Sequence, residues 1–444
     1  MLHGKRVIVV GLGKSGISAA KLCLGEGADV LGTDSAPREK LAEPARSLGI
    51  PIVAGGHAGV AFDDADLIVI SPGVPWLPEL ERAERAGVPV IGELELATSR
   101  LFMPIVAVGG TNGKSTTTTL VGRLLESGGR KVFVGGNLGT PACEAVGGSY
   151  DVVVLEVSSF QLERAPTFRP RVSILLNITE DHLDRYSDFS AYAAAKGNAF
   201  VNQTSKDVAL FPAGDAVCEM QARRGRGRLV TFGLGGDYAL EGAGVVLERE
   251  SGVRFELSRT RLFGAHNWQN AAAALAAARH FDVGAGALQE ALEAFVPLPH
   301  RMALAGTVRG VRYYDDSKGT NVGAAVTAIL GLREARGVLI AGGRDKLGSY
   351  DPLVRALEQK GRAVVVIGEA AERIGSAIGD RLPVVRAASM EEAVRAAASL
   401  AAPGDAVLLS PACSSFDMFQ SYAHRGDAFV AAVQRLAAET EGSP

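Results

Sequence analysis

Short runs of consecutive apolar residues alternate along this chain with segments in which apolar residues recur at helical spacing. Because continuous apolar runs are typical of strands buried on both faces of a parallel sheet, the alternation predicts an α/β fold. The runs that predict strands are 6–10, 28–33, 67–70, 105–108, 151–155, 172–176, 338–341, 363–367 and 406–409.

The length of the chain and the grouping of these strands predict three domains. At roughly 150 residues per domain, 444 residues have room for three, each large enough to bury a core. We expect residues 1–92 to form a Rossmann-like N-terminal domain and residues 93–298 a central P-loop ATPase-like domain with a mainly parallel sheet. Residues 299–444 then form a C-terminal Rossmann-like domain.

The stretch IVAVGGTNGKSTTTT, residues 105–119, has the pattern of a phosphate-binding loop. A buried strand precedes its glycines, and a helical apolar pattern follows them. A helix N-terminus offers unpaired backbone amides to an anion, Lys114 would reach the outer phosphates, and Ser115 would place its hydroxyl on magnesium. Val108 stands where the general pattern GxxxxGK[ST] has glycine, and a Gly-rich turn with an exposed lysine is the alternative.

A second glycine turn, GLGKSG at residues 11–16, follows the first predicted strand with the GxGxxG spacing of a dinucleotide-binding turn. Asp34, about 20 residues further on, suits a ribose-binding carboxylate. The third strand ends in Ser71, Pro72 and Gly73, at the sheet edge where ligands collect in such folds. The residues alone allow two interpretations, dinucleotide binding and tight strand-to-helix packing with nothing bound.

Polar groups also follow two buried strands of the central segment. Glu156 follows the run 151–155, and a carboxylate that ends a strand beside a phosphate loop commonly holds magnesium. His182 lies in NITEDHLDRY, residues 177–186, with the acidic neighbours Glu180, Asp181 and Asp184. Two interpretations of His182 are open, a metal or phosphate ligand and an ordinary surface or helix-start histidine.

Two asparagines, Asn267 and Asn270, precede an alanine-rich segment of high helix propensity, residues 271–278. Their amides either cap that helix or hydrogen-bond a base edge, and the sequence alone favours capping. In the third segment, polar stretches rich in glycine or serine follow apolar runs. If the strands are parallel, these stretches face one crevice. They are residues 313–321, 342–346 and 410–419.

Composition and charge narrow the class of protein. Hydrophobic residues make up 47% and charged residues 21% of the chain, as in soluble globular proteins, and a net charge of -3 does not favour nucleic acid binding. The four cysteines have no CxxC or metal-ligand spacing, and no apolar stretch reaches the length of a membrane span or signal peptide core. We expect a cytoplasmic monomer without a membrane partner.

Eight motifs carry a family resemblance: GTNGKS, LEVSSFQLE, NITEDHLDRY, YAAAKGNAF, GAHNWQNAAAA, LPHRM, DDSKGTN and SPACSSFDMF. Together they cover essentially the whole chain and resemble the Mur ligase family, ATP-dependent amide-forming enzymes of peptidoglycan precursor synthesis. Within the family, DDSKGTN and SPACSSFDMF are similar to the branch that adds D-glutamate to UDP-N-acetylmuramoyl-L-alanine.

The resemblance implies that the first domain binds UDP and not a dinucleotide, since a glycine turn at a helix N-terminus suits the diphosphate of either ligand. The residues that it places at the uridine end are Lys14, Ser15, Asp34 and Ser35. Those that it places at the diphosphate, the sugar or elsewhere on the substrate are Gly73, Asn137, Ser158, Gln161 and His182. Those that it places at D-glutamate are Thr320, Lys346, Ser415 and Tyr422.

The resemblance also implies ATP and Mg²⁺. The ATP-binding positions are Gly110, Thr111, Asn112, Gly113, Lys114, Ser115, Thr116, Asn267, Asn270, Arg301 and Asp316. The magnesium ligands are Ser115, Glu156, His182 and Lys196, and the catalytic residues are Lys114, His182, Lys196 and Lys318. In the family the lysine that matches Lys196 is carbamylated, whereas the sequence alone predicts an ordinary helix-surface lysine there. Arg301 and Asp316 lie beyond residue 298, so we expect domain closure to complete the ATP site.

The implied reaction transfers the γ-phosphoryl group of ATP to the substrate carboxylate, after which the amine of D-glutamate attacks the acyl phosphate through a tetrahedral intermediate. Three rivals remain open. One is a nicotinamide-dependent oxidoreductase, based on GLGKSG and Asp34, which leaves the phosphate loop unused. The others are a non-catalytic nucleotide-binding module and a Mur ligase that adds a different amino acid.

Overall fold

The computed structural model describes residues 2–182, 185–242, 244–262, 264–345 and 348–441. They form three α/β domains, each built on one sheet. The first two sheets lie in one compact unit, built from Met1–Ile178, Ala193–Thr260 and Trp268–Phe295. The third sheet lies in a second unit, built from Thr179–Tyr192, Arg261–Asn267 and Val296–Pro444. The boundaries at 92/93 and 298/299 stay predictions.

The first domain has a wholly parallel sheet in the order β3-β2-β1-β4-β5. Its direction of winding reverses between β1 and β4, which is where doubly wound folds bind ligands. Fully buried side chains such as Ile8, Phe62 and Leu80 fill one face. The elements are β1 (Arg6–Val10), α1 (Lys14–Gly25), β2 (Asp29–Asp34), α2 (Glu43–Arg46), β3 (Ile52–Ala54), β4 (Leu67–Ile70), α3 (Pro78–Arg85), β5 (Val90–Gly92) and α4 (Glu93–Thr98).

The second domain has a nine-stranded sheet in the order β14-β13-β12-β11-β10-β9-β6-β8-β7. Strands β6 to β12 pair in parallel, and β12 to β14 form an antiparallel extension. The strands are β6 (Ile105–Gly109), β7 (Val132–Gly136), β8 (Val152–Glu156), β9 (Val172–Leu175), β10 (Val208–Pro212), β11 (Arg228–Gly233), β12 (Tyr238–Glu241), β13 (Val245–Glu248) and β14 (Val253–Glu256). The helices are α5 (Lys114–Ser127), α6 (Ser159–Leu162), α7 (Phe189–Gly197), α8 (Ala216–Ala222), α9 (Ala265–Arg279) and α10 (Ala285–Ala294).

The third domain has a six-stranded sheet in the order β15-β16-β20-β17-β18-β19. Only the β15–β16 pair is antiparallel, so β16, β20 and β17 bring their carboxyl ends to one edge, as predicted. The strands are β15 (Ala303–Val308), β16 (Val311–Asp315), β17 (Gly337–Gly342), β18 (Gly361–Ile367), β19 (Val384–Arg386) and β20 (Ala406–Leu409). The helices are α11 (Val322–Leu330), α12 (Asp351–Lys360), α13 (Ala371–Ile378), α14 (Met390–Leu400) and α15 (Tyr422–Glu441).

All nine predicted strands exist, and their bounds agree with the structure to within two residues. Helix α1 begins at Lys14, inside the GLGKSG turn. Other strands were not predicted, among them the buried β10 and the extension β12 to β14, whose strands have four residues each and mix buried with partly exposed positions. None of the helices in the described part of the chain is long and apolar enough to cross a bilayer.

Candidate functional site

The phosphate loop lies between β6 and α5, as predicted. Gly110 and Gly113 have φ angles of 135° and 84°, a region that residues with a Cβ rarely adopt. Gly113 is the N-cap of α5, and a glycine there supplies no capping side chain. The start of the helix can therefore receive an anion in place of a cap.

Asn177, two residues beyond the end of β9, shapes this loop. Its carbonyl oxygen accepts a hydrogen bond from the Thr111 amide at 2.9 Å, and its side-chain oxygen accepts one from the Asn112 amide at 2.9 Å. The Asn177 amide group donates in return to the Asn112 carbonyl at 3.1 Å. Sequence reasoning did not assign this role, although an asparagine directly after a strand that neighbours β6 was a usable signal.

Two lysines donate to carbonyl groups of the loop. The Lys114 Nζ atom lies 2.8 Å from the Thr111 oxygen, and the Lys196 Nζ atom lies 2.9 Å from the Gly110 oxygen. Lys196 is only 3% exposed. The expectation of an ordinary helix-surface lysine is therefore wrong, because α7 directs this side chain inward to the phosphate loop.

Glu156 ends β8 beside the phosphate loop strand and is 3% exposed. One carboxylate oxygen accepts from the Asn137 side chain at 2.6 Å, and the other, Oε2, is buried without a hydrogen-bond partner among the described residues. A buried, unpaired carboxylate oxygen is costly unless a cation or a donor meets it. Together with the buried Ser115 hydroxyl at the start of α5, it fits the hard oxygen ligands of Mg²⁺.

The described residues contain no group of three His, Cys, Asp or Glu side chains that could hold a metal by themselves. This agrees with the usual behaviour of Mg²⁺, which takes one or two protein carboxylates together with water and phosphate oxygens. The donor set at Glu156 and Ser115 is therefore adequate for magnesium bound with a nucleotide.

Asn270 adjoins the phosphate loop. A Cβ atom on Gly113 would lie 2.5 Å from the Asn270 Oδ1 atom, so the amide occupies the space that the glycine leaves. Helix α9 begins at Ala265, which places both Asn267 and Asn270 inside it. The capping interpretation of these two asparagines is therefore wrong, because the alanine-rich helix starts six residues earlier than the alanine run.

Ser158 and Gln161 form a capping box at the start of α6. The Ser158 Oγ atom accepts from the Gln161 amide at 3.2 Å, and the Gln161 side chain accepts from the Ser158 amide at 3.0 Å. Both side chains thus have a structural use, in the first turn of the helix that follows Glu156 and Val157. Their role in substrate binding stays a prediction.

Hydrogen bonds within the first domain hold its glycine turn in place. The Asp34 carboxylate accepts from the Leu12 amide at 2.6 Å and from the Ala36 amide at 2.8 Å. The Ser71 hydroxyl donates to the Gly11 oxygen at 2.7 Å. The carboxyl ends of β1, β2 and β4 therefore meet at one point. The remaining predicted uridine and diphosphate residues around it are exposed or half-buried: Lys14, Ser15, Ser35 and Gly73.

His182 lies in the second compact unit with Asp181 and Asn321. It has a φ of 57°, and its amide donates to the Asp181 carboxylate at 3.0 Å. The Asn321 side chain donates to the other Asp181 oxygen at 3.2 Å and also caps α11. A small pocket lined by Glu180, Asp181, His182 and residues of the third domain opens here. Asp184 lies outside the described residues.

Asp316 directly follows β16, and Arg301 directly precedes the Met302 that leads into β15. The Ser410 hydroxyl donates to Asp316 Oδ2 at 2.7 Å. Removal from water raises the pKa of Asp316 to about 7, while the Ser410 hydrogen bond and the charge of Arg301 oppose this rise. The charge of Arg301 therefore acts on the Asp316 carboxylate, and their shared role at the nucleotide stays a prediction.

A buried polar network behind this edge was not assigned from the sequence. The His300 Nδ1 atom lies 2.6 Å from the Asp315 carboxylate. Arg425 is 1% exposed and donates to the Ser317 side chain and carbonyl at 3.0 and 2.8 Å. Burial lowers the pKa of Arg425 to about 10. The signal available was the position of Asp315 and Ser317 on either side of Asp316.

Lys318 and Tyr422 lie together, with the Lys318 ammonium 3.9 Å from the centre of the Tyr422 ring. The Thr320 amide donates to the Lys318 carbonyl at 2.8 Å, and Ser415 is 2% exposed in the loop after β20. Lys346 lies outside the described residues. The third domain thus brings a cation, an aromatic ring and hydroxyl groups to the edge that the sequence predicted.

Comparisons with known proteins agree with this arrangement. Three family models match the chain: "Mur ligase MurD-like, N-terminal domain" at residues 5–92, "Mur ligase middle domain" at 108–278, and "Mur ligase, glutamate ligase domain" at 300–413. A UDP-N-acetylmuramoylalanine–D-glutamate ligase from Desulfosudis oleivorans is 45% identical over 450 residues, 98% of this chain and 97% of that protein. A protein of the same name from Geobacter metallireducens is 45% identical over 448 residues, 98% of each chain.

A solved structure shares the fold. UDP-N-acetylmuramate-alanine ligase MurC from Thermotoga maritima has a TM-score of 0.62 and 22% identity, and the match covers 97% of this chain and 100% of that one. The phosphate loop, the unpaired Glu156 oxygen and the three sheets therefore occur in a chain whose whole length matches one family, and the protein belongs to the Mur ligase family.

Proposed function

We propose that this protein joins D-glutamate to UDP-N-acetylmuramoyl-L-alanine in peptidoglycan precursor synthesis, at the expense of ATP. As a Mur ligase it is an ATP-dependent amide-forming enzyme. The observation that carries the choice of substrates is the 45% identity, over 98% of the chain, to curated relatives that bear this activity as their name. The geometry of the phosphate loop supports the use of ATP.

The chemical problem is that a carboxylate is a poor electrophile at neutral pH. Transfer of the γ-phosphoryl group of ATP to the carboxylate of the alanyl substrate gives an acyl phosphate. The amine of D-glutamate then attacks its carbonyl carbon, and the tetrahedral intermediate expels phosphate. In both steps negative charge accumulates on the reacting groups. Catalysis therefore depends on positioning the reactants and on fixed positive charge near them.

In the first compact unit, the loop amides and Lys114 bind the β- and γ-phosphates. Ser115 and Glu156 would hold magnesium, with a carbamylated Lys196 as a further proposed ligand. The resemblance adds His182, a residue of the second compact unit, as another proposed ligand. When bound, Mg²⁺ supplies charge neutralisation on the phosphate oxygens. Asn270, beside Gly113, contributes to the nucleotide pocket, and Asn267 is proposed to do so as well.

The surroundings of Lys196 bear on its proposed carbamylation. Its Nζ atom is buried and faces the Gly110 carbonyl, so an ammonium there carries a positive charge with little water around it. A lysine amine reacts with carbon dioxide in its neutral form, and the proposed carbamate would form at this buried nitrogen. The product is an anion that can orient a metal ion.

Further proposed site residues lie in the second compact unit. Lys318 is held over the Tyr422 ring and is proposed as the cation at the reaction centre. Arg301 and Asp316 are proposed to bind the ribose and phosphates. The proposed contacts of the two D-glutamate carboxylates are Thr320, Lys346, Ser415 and Tyr422.

The sugar nucleotide is proposed to bind at the first domain. Asp34 already accepts two backbone amides, which fixes both carboxylate oxygens beside the glycine turn and leaves lone pairs for a donor of the ligand. Lys14, Ser15, Ser35 and Gly73 border the same point. Asn137, also proposed to contact the sugar nucleotide, donates to Glu156, the proposed metal carboxylate.

The test is phosphate release from ATP in the presence of UDP-N-acetylmuramoyl-L-alanine and a panel of amino acids. We expect release that requires D-glutamate, with L-glutamate, L-alanine, L-lysine and diaminopimelate inactive. A preference for L-lysine or diaminopimelate would assign the chain to another branch of the family. Binding of NADH without binding of ATP or the sugar nucleotide would favour the oxidoreductase alternative.

A further inference from the structure

The loop that follows β4, residues 71–77, is held from two sides. On one side it packs on the glycine turn, where the Ser71 hydroxyl donates to the Gly11 oxygen at 2.7 Å. The packing is tight, since a Cβ atom on Gly11 would lie 2.5 Å from the Val74 side chain. On the other side, Trp76 stacks on Arg164, whose guanidinium carbon lies 3.8 Å from the ring centre.

Arg164 makes three separate contacts with the first domain. Its carbonyl oxygen accepts from the Gly92 amide at the end of β5 at 2.7 Å. Its guanidinium donates to Glu84 of α3 at 3.0 Å and also covers the Trp76 ring. The residue belongs to the central segment, two positions beyond the end of α6. One side chain therefore links the loop after β4 to the domain that carries the phosphate loop.

Arginine suits this position for a physical reason. Its planar guanidinium can stack on an aromatic face and donate in its own plane to a carboxylate at the same time. Trp76 remains 39% exposed, and the guanidinium covers part of its ring. A lysine would keep the charge opposite Glu84 but would lose the stacked plane.

We propose that Arg164, through its stack on Trp76, is a positioning residue that fixes the loop at residues 71–77 and thereby sets the affinity for the sugar nucleotide. This inference rests on the proposed function for the identity of the ligand. The loop lies at the carboxyl end of β4, beside the point where the winding of the sheet reverses, and it carries Gly73.

The effect should be specific to one substrate. Removing the Arg164 side chain leaves its backbone bond to Gly92 in place, so the path from α6 back to Glu156 keeps its support. The phosphate loop has its own anchors in Asn177 and Lys196. Loss of the stack should therefore weaken the binding of the sugar nucleotide and leave the binding of ATP unchanged.

The experiment measures the Kd of UDP-N-acetylmuramoyl-L-alanine by calorimetry without ATP, and the KM of each substrate, in the full-length protein. For Arg164→Ala we expect the Kd and KM of the sugar nucleotide to rise about threefold to tenfold, the usual range for loss of one cation–π contact. The KM of ATP should not change. Trp76→Ala should match this result, and Trp76→Phe should restore most of the affinity.

Glu84→Gln is the matched control, because it removes the ion pair but leaves the stack intact. We expect its Kd for the sugar nucleotide to stay within about twofold of the wild-type value, as for an exposed pair. The Arg164→Ala/Trp76→Ala double variant should bind the sugar nucleotide no more weakly than either single variant, since both substitutions remove the same contact.

The chain has two tryptophans, which gives a readout besides activity. In a Trp268→Phe background, Trp76 is the one fluorescent indole, and Arg164→Ala should shift its emission to longer wavelength before any ligand is added. An unchanged spectrum would contradict the stack.

Three further results would overturn the inference. If Arg164→Ala bound the sugar nucleotide with wild-type affinity, this inference would be wrong and the proposed function would be unaffected. An equal rise in the KM of ATP and of the sugar nucleotide, with a lower melting temperature, would show a structural role only. A wild-type protein that does not bind the sugar nucleotide would remove the proposed function and this inference together.

Discussion

The tripeptide Gly-Lys-Ser begins two helices of this protein, α1 at residues 13–15 and α5 at residues 113–115. Both follow a buried parallel strand, and both offer a helix N-terminus to an anion. The backbones differ at the glycine. Gly13 has a φ of -73° and open space around it, whereas Gly113 has a φ of 84° and packs against Asn270.

The surroundings of the two turns differ more than the turns do. At α1 the nearby carboxylate, Asp34, is used by two backbone amides of its own domain. At α5 the nearby carboxylate, Glu156, has an oxygen without a partner, and two lysines point at the loop. The same tripeptide is thus proposed to anchor a diphosphate in one place and to form part of a phosphoryl-transfer site in the other.

The largest difference should come from the two lysines. Lys114→Ala should lower kcat by about 100- to 1000-fold, since it removes a fixed donor from the charge that develops in the transition state. Lys14→Ala should raise the KM of the sugar nucleotide and leave kcat within about twofold, because this exposed lysine acts in binding alone. Steady-state kinetics of both variants checks this. Equal losses of kcat would contradict the distinction between the turns.

The two carboxylates form the next pair. Glu156→Gln removes the charge of the unpaired oxygen, so we expect the Mg²⁺ concentration for half-maximal activity to rise by about 10- to 100-fold. Asp34→Asn should leave the Mg²⁺ dependence of the activity unchanged and weaken the binding of the sugar nucleotide. Titration of activity with MgCl₂ at saturating ATP distinguishes them. A shift of the metal dependence in Asp34→Asn would overturn the assignment.

The two glycines test the backbone difference directly. Gly113→Ala should lower the free energy of unfolding by about 2 kcal/mol, because it forces a Cβ into the left-handed region and within 2.5 Å of Asn270 Oδ1. Gly13→Ala should change it by less than about 0.5 kcal/mol, since its φ is ordinary and no atom lies within 4 Å of the new Cβ. Urea denaturation measures both values. Equal destabilisation would mean that the two turns have the same constraints.

The last prediction concerns pH and lies outside both turns, at Asp316. Burial raises the pKa of Asp316 to about 7 from an ordinary value of 3.8, so the folded state holds this proton more tightly than the unfolded state. The resulting stabilisation is present below pH 3.8 and is lost as the pH rises to about 7, at no more than about 1.4 kcal/mol per pH unit. Asp316→Asn should flatten this decline in urea denaturation of the ligand-free protein. An unchanged pH profile would contradict it.

Much of the fold could be predicted because the buried strands of parallel sheets are continuous apolar runs. Strands such as β1, β4 and β20 have the bounds that the sequence predicted. The extension β12 to β14 could not be predicted, since its half-exposed strands lack that pattern. Short strands of this kind depend on pairing with neighbours, which a local pattern does not encode.

For the candidate site, the sequence located the loops but not the use of each side chain. The phosphate loop, Glu156 and the edge of the third sheet lie where predicted. Lys196 and Asn270 were misjudged, because their burial depends on how α7 and α9 dock and not on their neighbours in sequence. Family resemblance supplied the importance of Lys196, which helical periodicity alone would have assigned to the surface.

The bonds between Asn177 and the phosphate loop have a consequence for how the protein is made. The loop at residues 110–113 leaves the ribosome 65 residues before the asparagine that shapes it. A nascent chain that stops short of β9 therefore has the glycines and the lysine but no fixed cradle for a triphosphate. Nucleotide affinity should consequently arise late in synthesis, in one step, when the strand carrying Asn177 joins the sheet.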